Sequence, residues 1–364
     1  MELVDLLKGM LAQGASDLHL AVGRPPTLRV DGDLVDTDYP PLNPEEARRL
    51  VYSVLTDGQK ARFERDKELD FSLAVTNLSR FRVNVHSQRG TVAMAVRAIP
   101  YEIRTIEELR LPSVVKDLCT KPRGLIVVTG PTGSGKSTSL AAMVDLINRT
   151  RKCHIITIED PIEYIHEHRL ALVEQRELES DTHSFASALK YAMRQDPDVI
   201  LVGEMRDLET IQSAITAAET GHLVLATLHT NDASQTVDRM IDVFPPHQQQ
   251  QIRIQLAAVL EAVIAQQLLP TSTGKGRVAA IEILIGTPAI NALIREGKTQ
   301  QIIPMMEAGQ KYGMQTLNRC LLELYRKRIV TYDTAMRRSQ NREDLARMIE
   351  QMQAAAGQQQ KARA

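Results

Sequence analysis

Cysteine is scarce in this chain of 364 residues, which contains only three. Cys119, Cys153 and Cys320 lie far apart and form no CxxC pair, a pattern that argues against a zinc site and a disulfide framework. Three scattered thiols are typical of a protein in a reducing cytoplasm. We therefore expect a cytoplasmic protein without a structural metal.

Long apolar runs are also missing. No run approaches the roughly 20 residues that a membrane-spanning helix needs. The nearest candidate, "IQLAAVLEAVIAQQLL", contains Glu261 and several glutamines and predicts a packed helix. The N-terminal "MELVDLLKGML" predicts a short amphipathic helix with acids, not a signal peptide. We expect no direct insertion into a membrane, although the protein could work beside one.

The chain has no excess of charge of one sign. Lys and Arg total 44, Asp and Glu total 45, and the formal net charge is -1. A dedicated nucleic-acid binder usually has a basic excess or stripe. The local cluster "YRKR", residues 325–328, is typical of a solvated helix face. No nucleic-acid partner is expected.

Patterning along the chain predicts several regions, and the apolar share of 43% is enough for real cores. Residues 1–98 mix short strands with helices, as in an α+β domain; one hairpin is predicted at "PTLRVDGDLVD" and a helix after Asn43. Residues 99–122 predict a linker. From 123 to 270, four apolar runs alternate with helical segments, which predicts an α/β domain with a parallel sheet. Residues 271–350 predict helices, and 351–364 a disordered tail.

A phosphate-binding loop is predicted between the first of these strands and the helix that follows. The stretch "GPTGSGKST" fits G-x-x-x-x-G-K-[ST] in the strand–loop–helix context that the motif requires. Its glycines let backbone N–H groups turn toward phosphate oxygens, Lys136 reaches the β- and γ-phosphates, and the Ser137 hydroxyl can bind magnesium. ATP and Mg²⁺ are therefore the expected ligands. The predicted nucleotide-binding residues are Gly130, Pro131, Thr132, Gly133, Ser134, Gly135, Lys136, Ser137 and Thr138.

Acidic residues follow two other predicted strands. Glu159, Asp160 and Glu163 come after "HIIT", and Glu204 comes after "VILVG". Sites in parallel sheets form beyond the carboxyl ends of strands, so these acids could meet around one phosphate tail. The alternative is that each acid caps a helix or pairs with a nearby arginine. We predict that Glu204 mainly serves the magnesium shell and Glu163 mainly the water, with the reverse assignment as the rival.

Two histidines flank a further predicted strand, in "ETGHLVLATLHTND". His229 lies at the carboxyl end of this strand, the same end as the predicted phosphate loop and acids, and is predicted to sense the γ-phosphate. His222 lies at the opposite end, so the two are not expected to share a metal.

Four stretches resemble the Walker A, Asp box, Walker B and His box of secretion-superfamily ATPases: "GPTGSGKST", "TIEDPIEYIHE", "DPDVILVGEMRDLETI" and "TAAETGHLVLATLHTNDA". The N-terminal "GASDLHL" and the late "GTPAINALIRE" narrow the resemblance to the PilT branch, the retraction ATPases of type IV pili. The likeness runs from residue 1 to about 350. It implies Mg-dependent hydrolysis of ATP to ADP and phosphate by a motor for pilus retraction and twitching motility.

The same resemblance implies a homo-hexamer at the inner-membrane base of the pilus, beside an inner-membrane platform protein. Each subunit would combine a PAS-like N-terminal domain, a RecA-like P-loop ATPase domain and C-terminal helices. In this family the N-terminal domain of one subunit supplies arginines to the nucleotide of another, and Arg82 and Arg97 match by position.

Three features bear on the branch. Asn291 stands where the late helical motif of the family usually has an arginine. The missing tetracysteine site and the shorter length favour retraction over pilus assembly. The alternatives are a PilT-like accessory motor that works beside another ATPase, a P-loop nucleic-acid motor, and a nucleotide-binding protein that hydrolyses poorly.

Overall fold

A computed structural model describes residues 1–75, 78–99 and 102–361, with side chains up to residue 354. The described chain divides into two compact units. One comprises Met1–Glu102 and Glu163–Ile165; the other comprises Ile103–Ile162 and His166–Ala364. Within the described ranges, no helix is both long and apolar enough to cross a membrane.

The N-terminal unit is a six-stranded antiparallel sheet with helices packed against one face. Its strand order is β3-β2-β1-β6-β5-β4. Its elements in chain order are α1 Leu3–Ala12, β1 Asp17–Leu20, β2 Thr27–Val30, β3 Asp33–Asp36, α2 Pro44–Tyr52, α3 Asp57–Asp66, β4 Glu68–Val75, β5 Ser79–Gln88 and β6 Thr91–Ile99.

Local sequence accounts for these elements. The hairpin of β2 and β3 turns through Asp31 and Gly32, both at positive φ, as a two-residue hairpin turn requires. Helix α2 starts at a capping box formed by Asn43 and Glu46, directly after Asn43 as predicted. In β5 the alternate residue Phe81 is fully buried and Arg82 points away from the core.

The second unit has a seven-stranded mixed sheet with the order β13-β12-β7-β11-β10-β8-β9. Strands β12 to β9 of this order run parallel, and β13 is antiparallel to β12. Its elements up to the last strand are α4 Val114–Cys119, β7 Gly124–Thr129, α5 Lys136–Thr150, β8 His154–Glu159, β9 Leu172–Glu177, α6 Phe185–Ala192, β10 Val199–Val202, α7 Leu208–Glu219, β11 Leu223–Leu228, α8 Ala233–Asp242, α9 Pro246–Val259, β12 Leu260–Pro270 and β13 Arg277–Ile285.

Helices follow the sheet to the end of the described chain. They are α10 Pro288–Arg295, α11 Ile302–Ala308, α12 Leu317–Arg326, α13 Tyr332–Arg338 and α14 Arg342–Lys361, with short 3-10 turns at Thr299–Gln301 and Gln310–Tyr312. Helices α12 and α14 bury leucines against the apolar residues of β12 and β13.

Apolar residues on both faces of the central strands explain the predicted continuous runs. All six residues of β7 are buried. Leu125 and Val127 face one layer of helices, and Ile126 and Val128 face the other. A strand covered on both faces cannot alternate polar with apolar residues, so the parallel-sheet prediction is confirmed.

The structure differs from three predictions of local structure. The run "IQLAAVLEAVIAQQLL" is helical only up to Val259 and continues as strand β12, because pairing with β7 and β13 overrides its Ala- and Gln-rich composition. The region predicted to be helical after residue 270 contains β13, which closes that edge of the sheet. The predicted tail, residues 351–364, has a helical backbone as far as Lys361, and residues 362–364 lie outside the described residues.

Candidate active site

The loop between β7 and α5 has the backbone of a phosphate cradle. Gly130, Gly133 and Gly135 have φ values of 143°, 76° and 89°, a region that residues with a side chain rarely adopt. A Cβ at Gly130 would lie 2.3 Å from the carbonyl oxygen of Gln266. Only glycine therefore fits at that position, and the loop curls directly into the N-terminus of α5.

Lys136 holds its ammonium inside this loop. The Nζ donates to the carbonyl oxygens of Gly130 at 2.8 Å and Pro131 at 3.2 Å. The Oγ of Ser134 is buried and has no hydrogen-bond partner in the part of the chain that the structure describes. A buried cation, a buried hydroxyl and a helix N-terminus fit the phosphates of a nucleotide.

Gln266, on β12, fixes the shape of the loop. Its Nε2 donates to the carbonyl oxygen of Ser134 at 2.7 Å, and its Oε1 accepts from Ser139 Oγ at 2.9 Å. The side chain is 2% exposed, so water cannot replace these bonds. One amide thus joins the loop to the first turn of α5.

A cluster of threonines joins the end of β7 to the loop after β11. Thr129 Oγ1 lies 2.8 Å from both the carbonyl oxygen and the Oγ1 of Thr230, and it accepts from the Thr230 N–H at 3.0 Å. Thr230 Oγ1 is also 2.6 Å from Thr236 Oγ1, in α8. The segment that carries His229 is therefore bonded to the strand that leads into the phosphate loop.

Glu204 follows β10 and has two basic neighbours. Its Oε1 lies 2.5 Å from Arg206 Nε and 3.3 Å from His229 Nε2. Burial raises the pKa of the Glu204 carboxyl, but the bonds and charges of Arg206 and His229 outweigh that effect and the pKa lies below its ordinary value. Glu204 is therefore an ionised carboxylate at neutral pH, and its side chain is 19% exposed.

Gly203 explains why no second acid precedes Glu204. Its N–H donates to the carbonyl oxygen of Ile158 at 2.7 Å, where β10 and β8 approach closely. A Cβ there would lie 3.0 Å from that oxygen and 3.1 Å from Glu159 Cα. An aspartate at position 203 would crowd the end of β8, so Glu204 supplies the carboxylate at the end of β10.

The acids after β8 have different surroundings. Glu159 Oε1 accepts from Thr157 Oγ1 at 2.6 Å and from Gln175 Nε2 at 3.1 Å, which ties it to the sheet. Asp160 is exposed. The hydrogen bond and charge of Glu204 raise the pKa of Arg206, and the charge of Asp160 raises it further.

No hydrogen bond or ion pair joins Glu163 to Glu204, and both residues are within the described ranges. It is exposed and makes no hydrogen bond or ion pair with the residues that the structure describes. Residues 163–165 belong to the N-terminal unit, whereas the phosphate loop belongs to the other. The segment that follows is anchored on α5, because Asn148 Nδ2 donates to the Glu167 carbonyl at 2.7 Å and Asn148 Oδ1 accepts from the Arg169 N–H at 3.1 Å.

The two candidate arginines are direct neighbours across β5 and β6. Arg97 Nε lies 2.8 Å from Oδ1 of Asp17, whose side chain is 10% exposed. Arg82 is exposed and has no ion pair or hydrogen bond among the residues in the described ranges. The two arginines therefore differ, since one is held by a buried acid and the other is open to an anion.

His222 lies before β11, at the end of the sheet away from the loop. Its Nδ1 is 2.8 Å from the Ala217 carbonyl oxygen and 3.2 Å from Thr220 Oγ1. These bonds close the turn after α7 and give it a structural role.

Sequence reasoning missed Arg206, Gln266 and Thr230. Arg206 had a signal, because it follows Glu204 by two residues at the end of a buried strand. Gln266 is a polar residue in an apolar run, and it was misplaced when that run was interpreted as a helix. Thr230 had no signal, since only the pairing of β7 with β11 brings it to Thr129.

Magnesium fits the oxygen donors at this site. Ser137 is in the first turn of α5, directly after the lysine of the loop, and Glu204 is ionised. Mg²⁺ prefers oxygen ligands, keeps several waters and needs few carboxylates, so one hydroxyl and one carboxylate suit it.

The chain is similar to known proteins over nearly its whole length. The family model of type II/IV secretion system proteins matches residues 2–364. The chain is 50% identical over 335 residues to a type IV pilus retraction ATPase, PilT, of Pseudomonas aeruginosa, covering 92% of this chain and 97% of that protein. It is 49% identical to a twitching motility protein of Neisseria gonorrhoeae, covering 88% and 86%. A crystal structure of the pilus retraction motor PilT with bound ADP superposes with a TM-score of 0.90 at 48% identity, over 95% of this chain and 99% of that one.

Proposed function

Because the chain belongs to the type II/IV secretion system protein family and matches pilus retraction ATPases over nearly its whole length, we propose that it hydrolyses ATP with magnesium to retract type IV pili, the basis of twitching motility. The observation that carries this proposal is the juxtaposition of three strand ends in one unit. The phosphate loop follows β7, His229 follows β11 and its partner Glu204 follows β10, on adjacent strands.

The loop binds and orients the substrate. Its N–H groups and the N-terminus of α5 bind the phosphates. The ammonium group of Lys136 exchanges its hydrogen bonds to the loop carbonyls for bonds to the β- and γ-phosphates. Gln266 holds the loop in the receptive shape before binding. Such preorganisation reduces the free energy that would otherwise be spent on ordering the loop.

Magnesium is held by Ser137 and Glu204 in this proposal. When bound, it neutralises charge that develops on the β- and γ-oxygens. The depressed pKa of Glu204 keeps the carboxylate anionic for this role, and Arg206 orients it. Glu163 orients and deprotonates the attacking water, with the exchange of roles between Glu163 and Glu204 as the rival assignment.

His229 senses the γ-phosphate. Its side chain is 41% exposed and contacts Glu204. The ring can therefore reach a phosphate on the side where Glu204 lies. Because Thr230 is bonded to Thr129, a shift of His229 also moves the residue that precedes the phosphate loop.

The active unit is a homo-hexamer at the cytoplasmic side of the inner-membrane pilus base, acting on the platform protein. The N-terminal unit is a PAS-like α+β domain, predicted over residues 1–98, and 99–122 is the linker. The RecA-like domain spans 123–270 and is followed by C-terminal helices. Arg82 and Arg97 act on the nucleotide of a neighbouring subunit. Arg82 is the stronger candidate, because it has no ion pair among the described residues whereas Arg97 is paired with Asp17.

A magnesium titration tests the assignment of the two acids. Glu204→Gln and Glu163→Gln each keep the shape of the side chain and lose its charge and basicity. Both variants should bind ATP and hydrolyse it at least about a hundredfold more slowly. The magnesium concentration for half-maximal phosphate release should rise in Glu204→Gln and stay unchanged in Glu163→Gln.

Glu209→Gln, which changes an exposed acid in α7, serves as the matched control and should behave as the wild type. If only Glu163→Gln raises the magnesium requirement, the two roles are reversed. If neither variant slows hydrolysis, the catalytic site lies elsewhere.

A further inference from the structure

Glu282, on β13, is a buried carboxylate outside the site described above. It is 4% exposed, and its two oxygens accept from different helices. Oε1 accepts from the N–H of Ala233 at 2.8 Å, and Oε2 accepts from the N–H of Leu317 at 3.3 Å.

These two donors are the first residues of α8 and α12. The N–H groups at the start of a helix have no partner within the helix and carry partial positive charge. One carboxylate therefore joins the starts of two helices that are distant in sequence. Asp232 caps α8 and Thr316 caps α12 on either side of this bridge.

Helix α8 begins four residues after His229. The intervening segment is short and fixed at several points: Thr230 is bonded to Thr129, and the carbonyl of Asp232 accepts from Thr236 Oγ1 at 2.6 Å. Because this segment is short and held by hydrogen bonds, a displacement of His229 would also move the first turn of α8.

The C-terminal region contacts the same segment at two further points. Gln340 Nε2 donates to the Asn231 carbonyl at 3.4 Å, and Ser234 Oγ donates to the Thr299 carbonyl at 3.0 Å. The first contact is exposed and the second is partly buried, whereas the Glu282 bonds are buried. Breaking a buried bond leaves a polar group without water, so the Glu282 bridge is the stiffest of these links.

We propose that Glu282 is a positioning residue that couples the His229 loop to the start of α12, so that the nucleotide bound at the phosphate loop alters the C-terminal helices. Backbone bonds reinforce the α12 side, since Ile283 and Gln315 exchange N–H···O bonds of 2.8 and 3.0 Å. The coupling deepens the proposed function and rests on its nucleotide binding.

Hydrogen–deuterium exchange on the full-length protein, with and without ADP and Mg²⁺, tests this coupling. In the wild type, nucleotide should slow exchange at least about threefold both in residues 130–138 and in residues 315–321. In Glu282→Gln the amide keeps one acceptor and cannot accept from both helices. Slowing at 130–138 should persist, and slowing at 315–321 should be lost.

Glu307→Gln, an exposed acid of α11, is the matched control and should retain both effects. If Glu282→Gln does not fold, Glu282→Asp replaces it in the experiment. The aspartate keeps the charge but is too short to reach both helices, so slowing at 315–321 should again be lost. Nucleotide-dependent slowing at 315–321 that persists in either variant, or that is missing from the wild type, overturns the coupling. Absence of slowing at 130–138 would instead contradict nucleotide binding, and the coupling with it.

Discussion

At the scale of single residues, the site depends on how each charge is paired. Glu204 is held between Arg206 and His229, Arg97 is held by Asp17, and Arg82 has no such partner among the described residues. Sequence alone selected Glu204, His229 and both arginines as candidates, because acids and histidines after apolar runs are unusual and because the family motif matched. It did not predict the pairings, which depend on contacts between residues on different strands.

The buried Glu282 predicts a pH effect on stability. Burial raises the pKa of its carboxyl to about 7 from an ordinary 4.5, although the Ala233 and Leu317 N–H groups oppose the rise. The stabilising contribution of a carboxyl with a raised pKa is complete below about pH 4.5 and is lost as the pH rises through about 7. A shift of this size corresponds to about 3 kcal/mol.

Glu282→Gln removes this titration. We expect the melting temperature of the wild type relative to Glu282→Gln to fall between about pH 4.5 and about pH 7, measured by calorimetry in buffers of matched ionic strength. The charge of Asp232 adds to the rise in the pKa of Glu282, and burial raises the pKa of Asp232 itself, so the comparison reports the titration of Glu282 together with its coupling to Asp232. A difference in melting temperature that does not change with pH would show that Glu282 does not titrate in this range.

At the scale of helices and strands, the ends of adjacent parallel strands create the site. Alternating apolar runs and helical segments were sufficient to predict β7, β8, β10 and β11, because strands buried on both faces have a strong sequence signal. Strand β12 was missed for a physical reason. Its alanines and glutamines favour a helix, and only its position between β7 and β13 makes it a strand.

The missed strand carries Gln266, which leads to a prediction about the loop. Gln266→Leu keeps the approximate volume but leaves the Ser134 carbonyl and the Ser139 hydroxyl without their partner. An unsatisfied buried group costs about 1–3 kcal/mol, so we expect ADP to bind about tenfold more weakly. Fluorescence titration with a labelled ADP measures this change.

Gln267→Leu alters the neighbouring residue and is the matched control. Ser139→Ala removes one of the two bonds to Gln266 and should weaken binding less than Gln266→Leu. Wild-type affinity in Gln266→Leu would mean that the loop holds its shape without the amide.

At the scale of the whole molecule, the two units have different chemistry. The unit with the phosphate loop contains Lys136, Glu204 and His229, and the N-terminal unit contains Arg82 and Arg97. The proposal that these arginines act in a neighbouring subunit predicts complementation. Lys136→Ala and Arg82→Ala proteins should each be inactive, and mixing them should release phosphate faster than the sum of the two alone.

A mixed interface can pair an intact loop with an intact arginine, and a charge supplied in trans can change the rate by orders of magnitude. The same experiment with Arg97→Ala shows whether its ion pair with Asp17 reserves it for a structural role. Arg89→Ala, in the turn between β5 and β6, should keep full activity by itself. Subunit exchange without regained activity would place the arginines outside the catalytic machinery.

The proposed function, pilus retraction driven by ATP hydrolysis at Glu204, can be tested by the count of surface pili and the twitching rate in cells that lack the gene. We predict surplus pili and lost twitching in these cells. A plasmid copy of the wild type should restore both properties, whereas Glu204→Gln, expressed at the same level, should restore neither. Cells without pili would indicate an assembly motor, and full rescue by Glu204→Gln would show that hydrolysis at this site does not power retraction.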